Sequence, residues 1–232
     1  MTSKRDEQLQ AFKRLLDIMD ELRVQCPWDK KQTMETLRHL TIEETYELGD
    51  AILEQNMNEI KQELGDLLLH IVFYSKIASE TADFDITDVC HSICEKLIYR
   101  HPHIYGKAVF KNDEEVKQNW EKLKLKEGKK SVLEGVPKSL PALVKATRIQ
   151  DKVSNFGVNL GSIDYIFKDL KNQLNILSDH TNTLDQEQDV EEQLGDVMFS
   201  VIALARHLNI NPENALERKN KAFMKSYEAT NS

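Results

Sequence analysis

The sequence predicts an all-α protein, and three observations support this prediction. Apolar residues recur at helical spacing along almost the whole chain. The 232 residues include only eight glycines and five prolines, which is few for the many turns of a β-sandwich. Charged residues make up 30% of the chain and aromatic residues only 7%, a balance that favours helices. With 40% hydrophobic residues, the chain can form a folded core.

Breaks in the helical periodicity divide the first half of the chain into five predicted helices. A loop containing Pro27 ends the first helix, and a turn at residues 55–58 joins the second to the third. Thr87 is the predicted N-cap of the fourth helix. This helix is predicted to end before Arg100, because Pro102 disfavours helical backbone at His101. The predicted ranges are about 6–24, 40–54, 59–79, 88–99 and 113–126.

The second half follows a segment that is rich in glycine and proline. Residues 127–143 read EGKKSVLEGVPKSLPAL and form the best linker candidate in the chain. The last helix is predicted to begin with Asn211 as its N-cap and Pro212 in its first turn. The sequence therefore predicts a domain at 1–128, a linker at 129–142 and a domain at 143–232. The helices of the second domain are predicted at about residues 142–153, 163–178, 187–208 and 212–228.

An internal repeat relates the two halves. QELGDLLLHIVFYSKI at residues 62–77 and EQLGDVMFSVIALARH at residues 192–207 share LGD followed by an apolar helix, at an offset of 130 residues. Both helices are apolar on nearly all sides after the aspartate, so each should be enclosed by a bundle or a subunit interface. We therefore expect tandem helical-bundle domains that assemble through helix packing as a homodimer.

The net charge and the distribution of apolar residues argue against some classes of partner and location. A net charge of −8 argues against binding to a nucleic-acid backbone as the main activity. No run approaches 18 uncharged apolar residues, so no membrane partner is expected. The N-terminal segment is charged and lacks the apolar core of a signal peptide, which predicts a cytoplasmic protein.

Four acidic residues are spaced so that they can meet. Glu44 and Glu47 lie three residues apart, as do Glu63 and Asp66, so each pair projects from one face of its helix. The first pair precedes the turn near Asn56 by 12 and 9 residues, and the second follows it by 7 and 10. In an antiparallel hairpin with a rise of about 1.5 Å per residue, both pairs reach similar heights above the turn.

Converging carboxylates without a lysine or arginine on the same turns repel one another unless a cation neutralises them. Their hard oxygen ligands suit Mg²⁺ or Mn²⁺. The alternative is a set of solvated charges on helix faces, since EExxE alone is common in acidic helices. A di-iron site is disfavoured, because no glutamate in the chain has a histidine three residues later.

Several motifs together resemble a known family. EExxE at residues 43–47 is followed by ELGD at 63–66, CPWDKKQT precedes them, and KLIYRHPHIYG follows. This combination resembles MazG, the nucleoside triphosphate pyrophosphohydrolase of the all-α NTP pyrophosphatase superfamily. The resemblance extends through WEKLK and VPKSLPALVKATRIQDK to the second LGD helix, and so covers nearly the whole chain.

The resemblance implies an enzyme that hydrolyses an NTP or dNTP to the monophosphate and pyrophosphate. It implies that Glu44, Glu47, Glu63 and Asp66 hold Mg²⁺, with Mn²⁺ as a substitute. Glu43 lies one residue off the ligand face and is the candidate for orienting the attacking water. The alternative class is a non-catalytic helical module that binds a nucleotide or a partner.

Basic and aromatic residues complete the predicted site. Lys96 and Arg100 match basic positions of the family motif and would contact phosphate; otherwise they are solvated residues near a helix C-terminus. Trp28 and Trp120 would stack on a base, although packing of either ring on the helices is an equal alternative. His70, in LLLHIVF, is expected to be a core histidine with satisfied hydrogen bonds.

The second half departs from the family pattern. At the 130-residue offset Gln193 replaces Glu63, and the EExxE glutamates are replaced by Gln173, Leu174 and Leu177. An alternative alignment by the surrounding family pattern places Lys168, Asp169 and Asn172 at these three positions. A glutamine carries no carboxylate charge, and no EExxE occurs in this half. The second domain is therefore predicted to be a degenerate copy, and catalysis is assigned to the first.

Overall fold

The computed structural model describes residues 3–126, 131–159, 161–183 and 187–231. These residues form ten α-helices and two short 3₁₀ helices with no strand among them, so the all-α prediction is confirmed. The helices are α1 (Lys4–Gln25), α2 (Met34–Glu54), α3 (Met57–Ser79), α4 (Ile86–Arg100), α5 (Pro102–Tyr105), α6 (Asp113–Lys126), α7 (Ala142–Asn155), α8 (Ile163–Thr183), α9 (Glu187–His207) and α10 (Pro212–Asn231). Within the described ranges, no helix combines the length and apolarity needed to cross a membrane.

The chain divides into two compact units, Met1–Gly106 and Lys107–Ser232. This division falls earlier than the boundary predicted at residue 128, because α6 packs on α7 and so belongs to the second unit. Of the predicted linker, residues 129 and 130 lie outside the described residues. The remainder includes the 3₁₀ helix Val132–Gly135, which also packs on α7.

A tight turn joins α2 to α3 in the first unit. Gln55 ends α2 in the left-handed conformation with φ of 57°, and the side chain of Asn56 accepts hydrogen bonds from the backbone N–H groups of Asn58 and Glu59. The α2 helix begins six residues earlier than predicted, since Thr33 caps it and accepts from the backbone N–H of Thr36. The two long helices therefore form an antiparallel hairpin, as the sequence predicts.

The start of α4 differs from its prediction. Asp85, not Thr87, is the N-cap, and its side chain accepts hydrogen bonds from the backbone N–H groups of Thr87 and Asp88. The side chain of Asp88 accepts in turn from the backbone N–H of Asp85. This reciprocal pair satisfies two N–H groups that would otherwise lack partners, which is why the helix begins at Ile86. The helix ends at Arg100, one residue after the predicted end near residue 99.

The core of the first unit forms where α1, α2 and α3 meet. Met19, Leu37, Val72 and Phe73 are buried there and pack together. Arg23 fixes the neighbouring loop, because its guanidinium pairs with Glu80 at 2.6 Å and donates hydrogen bonds to backbone carbonyls of that loop. The acceptors are the carbonyl oxygens of Asp29 and Gln32.

The second unit repeats the hairpin with α8 and α9, and α7 packs against α9. The buried side chains that the structure describes in this unit include the polar residues Glu121, Gln150, Lys152 and Gln193. Gln150 on α7 donates a hydrogen bond of 2.9 Å to the carbonyl oxygen of Phe199 on α9. Lys152 and Glu121, exposed by only 2% and 4%, form a buried ion pair at 3.1 Å. This pair holds α6 against α7.

Candidate active site

The candidate active site lies on the α2–α3 hairpin. Glu44 on α2, and Glu63 and Asp66 on α3, each place a carboxylate oxygen within 4.8 Å of the other two. Glu44 and Glu63 are half-buried, whereas Asp66 is exposed. Glu47 is exposed one turn along α2 and lies outside this 4.8 Å group. The structure thus brings together three of the four carboxylates that the spacing places at one height.

Burial and mutual repulsion raise the proton affinity of two carboxylates in this cluster. The pKa of Glu44 is raised above its ordinary value of 4.5, first by burial and then by the charges of Asp66 and Glu47. The pKa of Glu63 is raised by burial and by the charges of Glu47, Glu44 and Asp66. Ionisation of either carboxylate therefore costs more free energy in the metal-free protein than it does for an ordinary glutamate in water. A bound cation would relieve this cost.

The chemistry of the donor set fits Mg²⁺ or Mn²⁺. Both ions prefer hard oxygen ligands, and carboxylates on adjacent helices supply them. Among the residues that the structure describes, neither Glu44, Glu63 nor Asp66 forms an ion pair with a basic side chain. The negative charge of the cluster is therefore not offset by the first unit's own cations.

His70 lies one turn after Asp66 on α3. It is buried as predicted, with 7% of its surface exposed. Burial lowers the pKa of its imidazole, although the charge of Asp66 acts in the opposite direction. The expectation of satisfied hydrogen bonds is wrong for one atom, since Nδ1 has no hydrogen-bond partner.

The remaining predicted residues of the first unit lie on α2, on α4 and in the loop after α1. Glu43 is exposed, and its charge contributes to the raised pKa of Glu44. Lys96 and Arg100 lie on α4, which packs against α3. Among the described residues neither forms an ion pair with the clustered carboxylates. Trp28 lies in the loop that Arg23 anchors and is 54% exposed, so its ring is accessible to a ligand.

Trp120 belongs to the second unit, on α6, whereas the clustered carboxylates belong to the first. Its ring is half-buried and lines a cavity together with Arg148 and Asp151 of α7. Sequence reasoning named Trp120 but did not identify Arg148. The only available signal was the basic character of KATRIQDK, which does not indicate which face of the helix each residue occupies.

Comparison with known proteins identifies the family. A model described as the MazG nucleotide pyrophosphohydrolase domain matches residues 32–105. The chain is 37% identical over 225 residues to the nucleoside triphosphate pyrophosphohydrolase of Escherichia coli (strain K12), covering 92% of this chain and 84% of that protein. The chain belongs to the MazG family. It is also 38% identical over 221 residues to the nucleoside triphosphate pyrophosphohydrolase/pyrophosphatase MazG of Thermotoga maritima, covering 93% of this chain and 84% of the relative.

The MazG match locates the family domain on the first unit. Residues 32–105 span α2 to α5 and include all the clustered carboxylates together with Lys96 and Arg100. Trp28 and Trp120 fall outside this range. As a member of the family, the chain carries a nucleotide pyrophosphohydrolase domain, and the longer alignments to the two relatives extend over most of the second unit as well.

Proposed function

We propose that this MazG protein hydrolyses nucleoside triphosphates to the monophosphate and pyrophosphate at the α2–α3 carboxylate cluster. The observation that carries the proposal is the approach of Glu44, Glu63 and Asp66 to within 4.8 Å inside the segment that matches the family domain. The names of the curated relatives support the same reaction. NTPs and dNTPs are both proposed as substrates.

Mg²⁺ or Mn²⁺ is the proposed cofactor. Glu44, Glu63 and Asp66 would hold it, and Glu47 would contribute from the adjoining turn of α2. When bound, the cation would offset negative charge on the phosphates and on the departing pyrophosphate. The raised pKa values of Glu44 and Glu63 support this assignment, because they reflect in part the repulsion between neighbouring carboxylates. A bound cation would offset this repulsion and stabilise both carboxylates in the ionised form that binds metal.

The protein's own side chains have distinct proposed roles in the hydrolysis. Glu43, exposed beside Glu44, orients the attacking water and accepts its proton. The water oxygen forms a bond to the α-phosphorus as the bond from that phosphorus to the oxygen bridging to the β-phosphate breaks. Lys96 and Arg100 bind phosphate oxygens of the substrate. Trp28, in its exposed position, stacks on the base.

An assay of pyrophosphate release tests the reaction. The purified full-length chain is incubated with each of the common NTPs and dNTPs in the presence of Mg²⁺ or Mn²⁺. Glu44→Gln should lose most of its turnover, whereas Glu59→Gln, which removes an exposed carboxylate one turn before Glu63, should retain it. If wild type releases no pyrophosphate from any of these nucleotides but still binds them, the non-catalytic alternative replaces the enzyme.

We further propose that the protein is a homodimer. Leu64, Leu68 and Ile71 recur along one face of α3 and are 53%, 39% and 47% exposed. In α4, Ile93 and Leu97 are 44% and 47% exposed. An apolar surface of this kind is typical of a face covered by another subunit.

A further inference from the structure

The second unit contains a cavity that the proposed hydrolysis does not use. It is about 540 Å³ in volume, which falls in the range of roughly 300–1,000 Å³ found for small-molecule sites. Trp120 of α6, Arg148 of α7 and Arg206 at the end of α9 contribute to its wall. Asn209 and Asn211, in the turn before α10, add side-chain amides. All of its lining residues belong to the second unit.

The acidic side chains at this cavity already have basic partners. Asp151 pairs with Arg206 at 3.1 Å, and Glu121 pairs with Lys152 at 3.1 Å. Both carboxylates are therefore neutralised within the unit. Lys117 and Arg148 also line the cavity, so its basic residues outnumber its acidic ones. This local excess contrasts with the net charge of −8 on the whole chain.

Arg148 is the side chain that points to a ligand. It is half-buried and lines the cavity, yet within the described residues its guanidinium makes no hydrogen bond and no ion pair. A half-buried guanidinium whose N–H donors have no acceptor in the protein is available to bind an anion that enters the cavity. An anion with two oxygens in a plane, such as a phosphate, satisfies that fork in a bidentate manner.

Trp120 adds a second element of recognition. Its ring is half-buried in the same wall, and an indole face stacks well on a planar heterocycle. The amides of Asn209 and Asn211 can hydrogen-bond to a sugar or a base edge. A ligand that contacts both Arg148 and Trp120 in this cavity combines an anionic group with an aromatic ring.

We propose that this cavity binds a nucleoside monophosphate, with the phosphate on Arg148 and the base against Trp120. A phosphate monoester carries a charge of about −1.5 to −2 at neutral pH, which suits one unpaired guanidinium beside two ion pairs. A metal-free triphosphate brings more negative charge than this wall offsets. The inference rests on the chemistry of the cavity alone and stands whether or not the α2–α3 cluster is catalytic.

Isothermal titration of the full-length protein with AMP, GMP, CMP and UMP in EDTA tests the proposal. The chelator removes divalent cations from the carboxylate cluster, so binding there does not supply the signal. Saturable binding of at least one monophosphate, with one site per chain, is the expected result. Because hydrogen bonds to charged groups contribute about 1.5–3 kcal/mol, Arg148→Gln should weaken binding roughly 10- to 100-fold.

Matched variants locate the site. Arg218→Gln removes an exposed arginine of α10 and should leave the affinity unchanged. Arg148→Lys keeps the charge but loses the planar fork, so its affinity should fall between those of wild type and Arg148→Gln. In a Trp28→Phe background Trp120 is the single tryptophan of the chain, and its fluorescence should change with the same affinity as the titration. Circular dichroism and melting curves check that each variant folds.

Three results would overturn the proposal. The first is the absence of binding by all four monophosphates at millimolar concentration. The second is evidence that the ligand binds outside this cavity. A folded Arg148→Gln or Arg148→Lys protein with the affinity of wild type would show this, and loss of binding in Glu44→Gln would place the ligand at the carboxylate cluster. The third is ribose 5-phosphate binding as tightly as the nucleotides, which would show that no base contacts Trp120.

Discussion

The side-chain amide of Gln193 donates a hydrogen bond of 2.6 Å to Oε1 of Gln173, joining α9 to α8. By the 130-residue offset, these two positions correspond to Glu63 and Glu43 of the first unit. The second hairpin therefore has a neutral amide pair near the place where the first has clustered carboxylates. Gln193 is 8% exposed, so the amide pair closes this part of the hairpin instead of presenting charge to a cation.

This difference predicts which half performs the chemistry. Asp66 and Asp196 are the aspartates of the two LGD segments, but among the described residues Asp66 belongs to a group of three carboxylates within 4.8 Å and Asp196 belongs to no such group. Removing a group that merely supports a metal ligand costs roughly 10–100-fold in activity, so Asp66→Asn, which removes a ligand, should cost about 100-fold or more. Asp196→Asn should retain near-wild-type pyrophosphate release. A folded Asp196→Asn protein without activity would assign the reaction to the second unit.

Metal binding should be measurable without turnover. Because Mg²⁺ or Mn²⁺ would bind the folded cluster and not the unfolded chain, it should stabilise the protein by about 2.7 kcal/mol at a concentration 100 times its Kd. Melting curves in EDTA and in excess metal measure this. Glu63→Gln should reduce the metal-induced shift, and Glu59→Gln should preserve it. Equal shifts in wild type and Glu63→Gln would exclude Glu63 as a ligand.

The clustered carboxylates also predict a pH dependence. The pKa values of Glu44 and Glu63 are raised in the folded protein, so the folded state binds protons more tightly than the unfolded state. Their contribution to stability is present below the ordinary pKa of 4.5 and is lost as pH rises through the raised values. In EDTA, the melting temperature of Glu63→Gln relative to wild type should therefore increase as pH rises from about 5 to 7.

His70 also titrates in this pH range, so the melting temperatures must be compared between two proteins that both retain it, wild type and Glu63→Gln. Burial lowers the pKa of its imidazole, so its contribution to stability increases with pH over part of the same range. Subtracting the wild-type curve from the Glu63→Gln curve removes this opposing effect. If the difference in melting temperature stays constant with pH, ionisation of Glu63 does not destabilise the folded protein.

Much of the first unit could be predicted because local rules determine it. The turn near Asn56 and the 1.5 Å helical rise place Glu44 and Asp66 at similar heights, and this argument needs no tertiary information. The start of α4 was missed by two residues because Asp85 and Thr87 are both good caps. Only the reciprocal bond with Asp88 decides between them.

The features that were not predictable depend on contacts between distant parts of the chain. Glu121 and Lys152 are ordinary charged residues in sequence, and their pairing across 31 positions places α6 in the second unit. The cavity that contains Arg148 and Trp120 likewise forms from three helices and a turn. Periodicity identifies such helices but does not specify which faces meet.

The buried pair of Lys152 and Glu121 predicts a loss of stability on mutation. Lys152→Met keeps the aliphatic length but leaves the carboxylate of Glu121 without the ammonium, which typically costs about 3–5 kcal/mol. It also removes a 3.1 Å hydrogen bond to the carbonyl oxygen of Val132. Denaturant unfolding measures the change, and Lys171→Met on the exposed face of α8 is the control. A change under about 1 kcal/mol would show that the pair contributes little.

The apolar face of α3 predicts a homodimer that a single charge should weaken. Ile71 is 47% exposed, and burying an isoleucine side chain in an interface contributes about 1.5–3 kcal/mol. Ile71→Lys removes that contribution and forces the lysine to be desolvated, so it should shift the protein towards monomer. Light scattering at micromolar concentration should give the mass of a dimer for wild type. Val109→Lys, which changes an apolar side chain that is 87% exposed, should leave the dimer intact. A monomeric wild-type mass, or dimers of equal strength in the Ile71→Lys protein, would show that the α3 face is not the dimer interface.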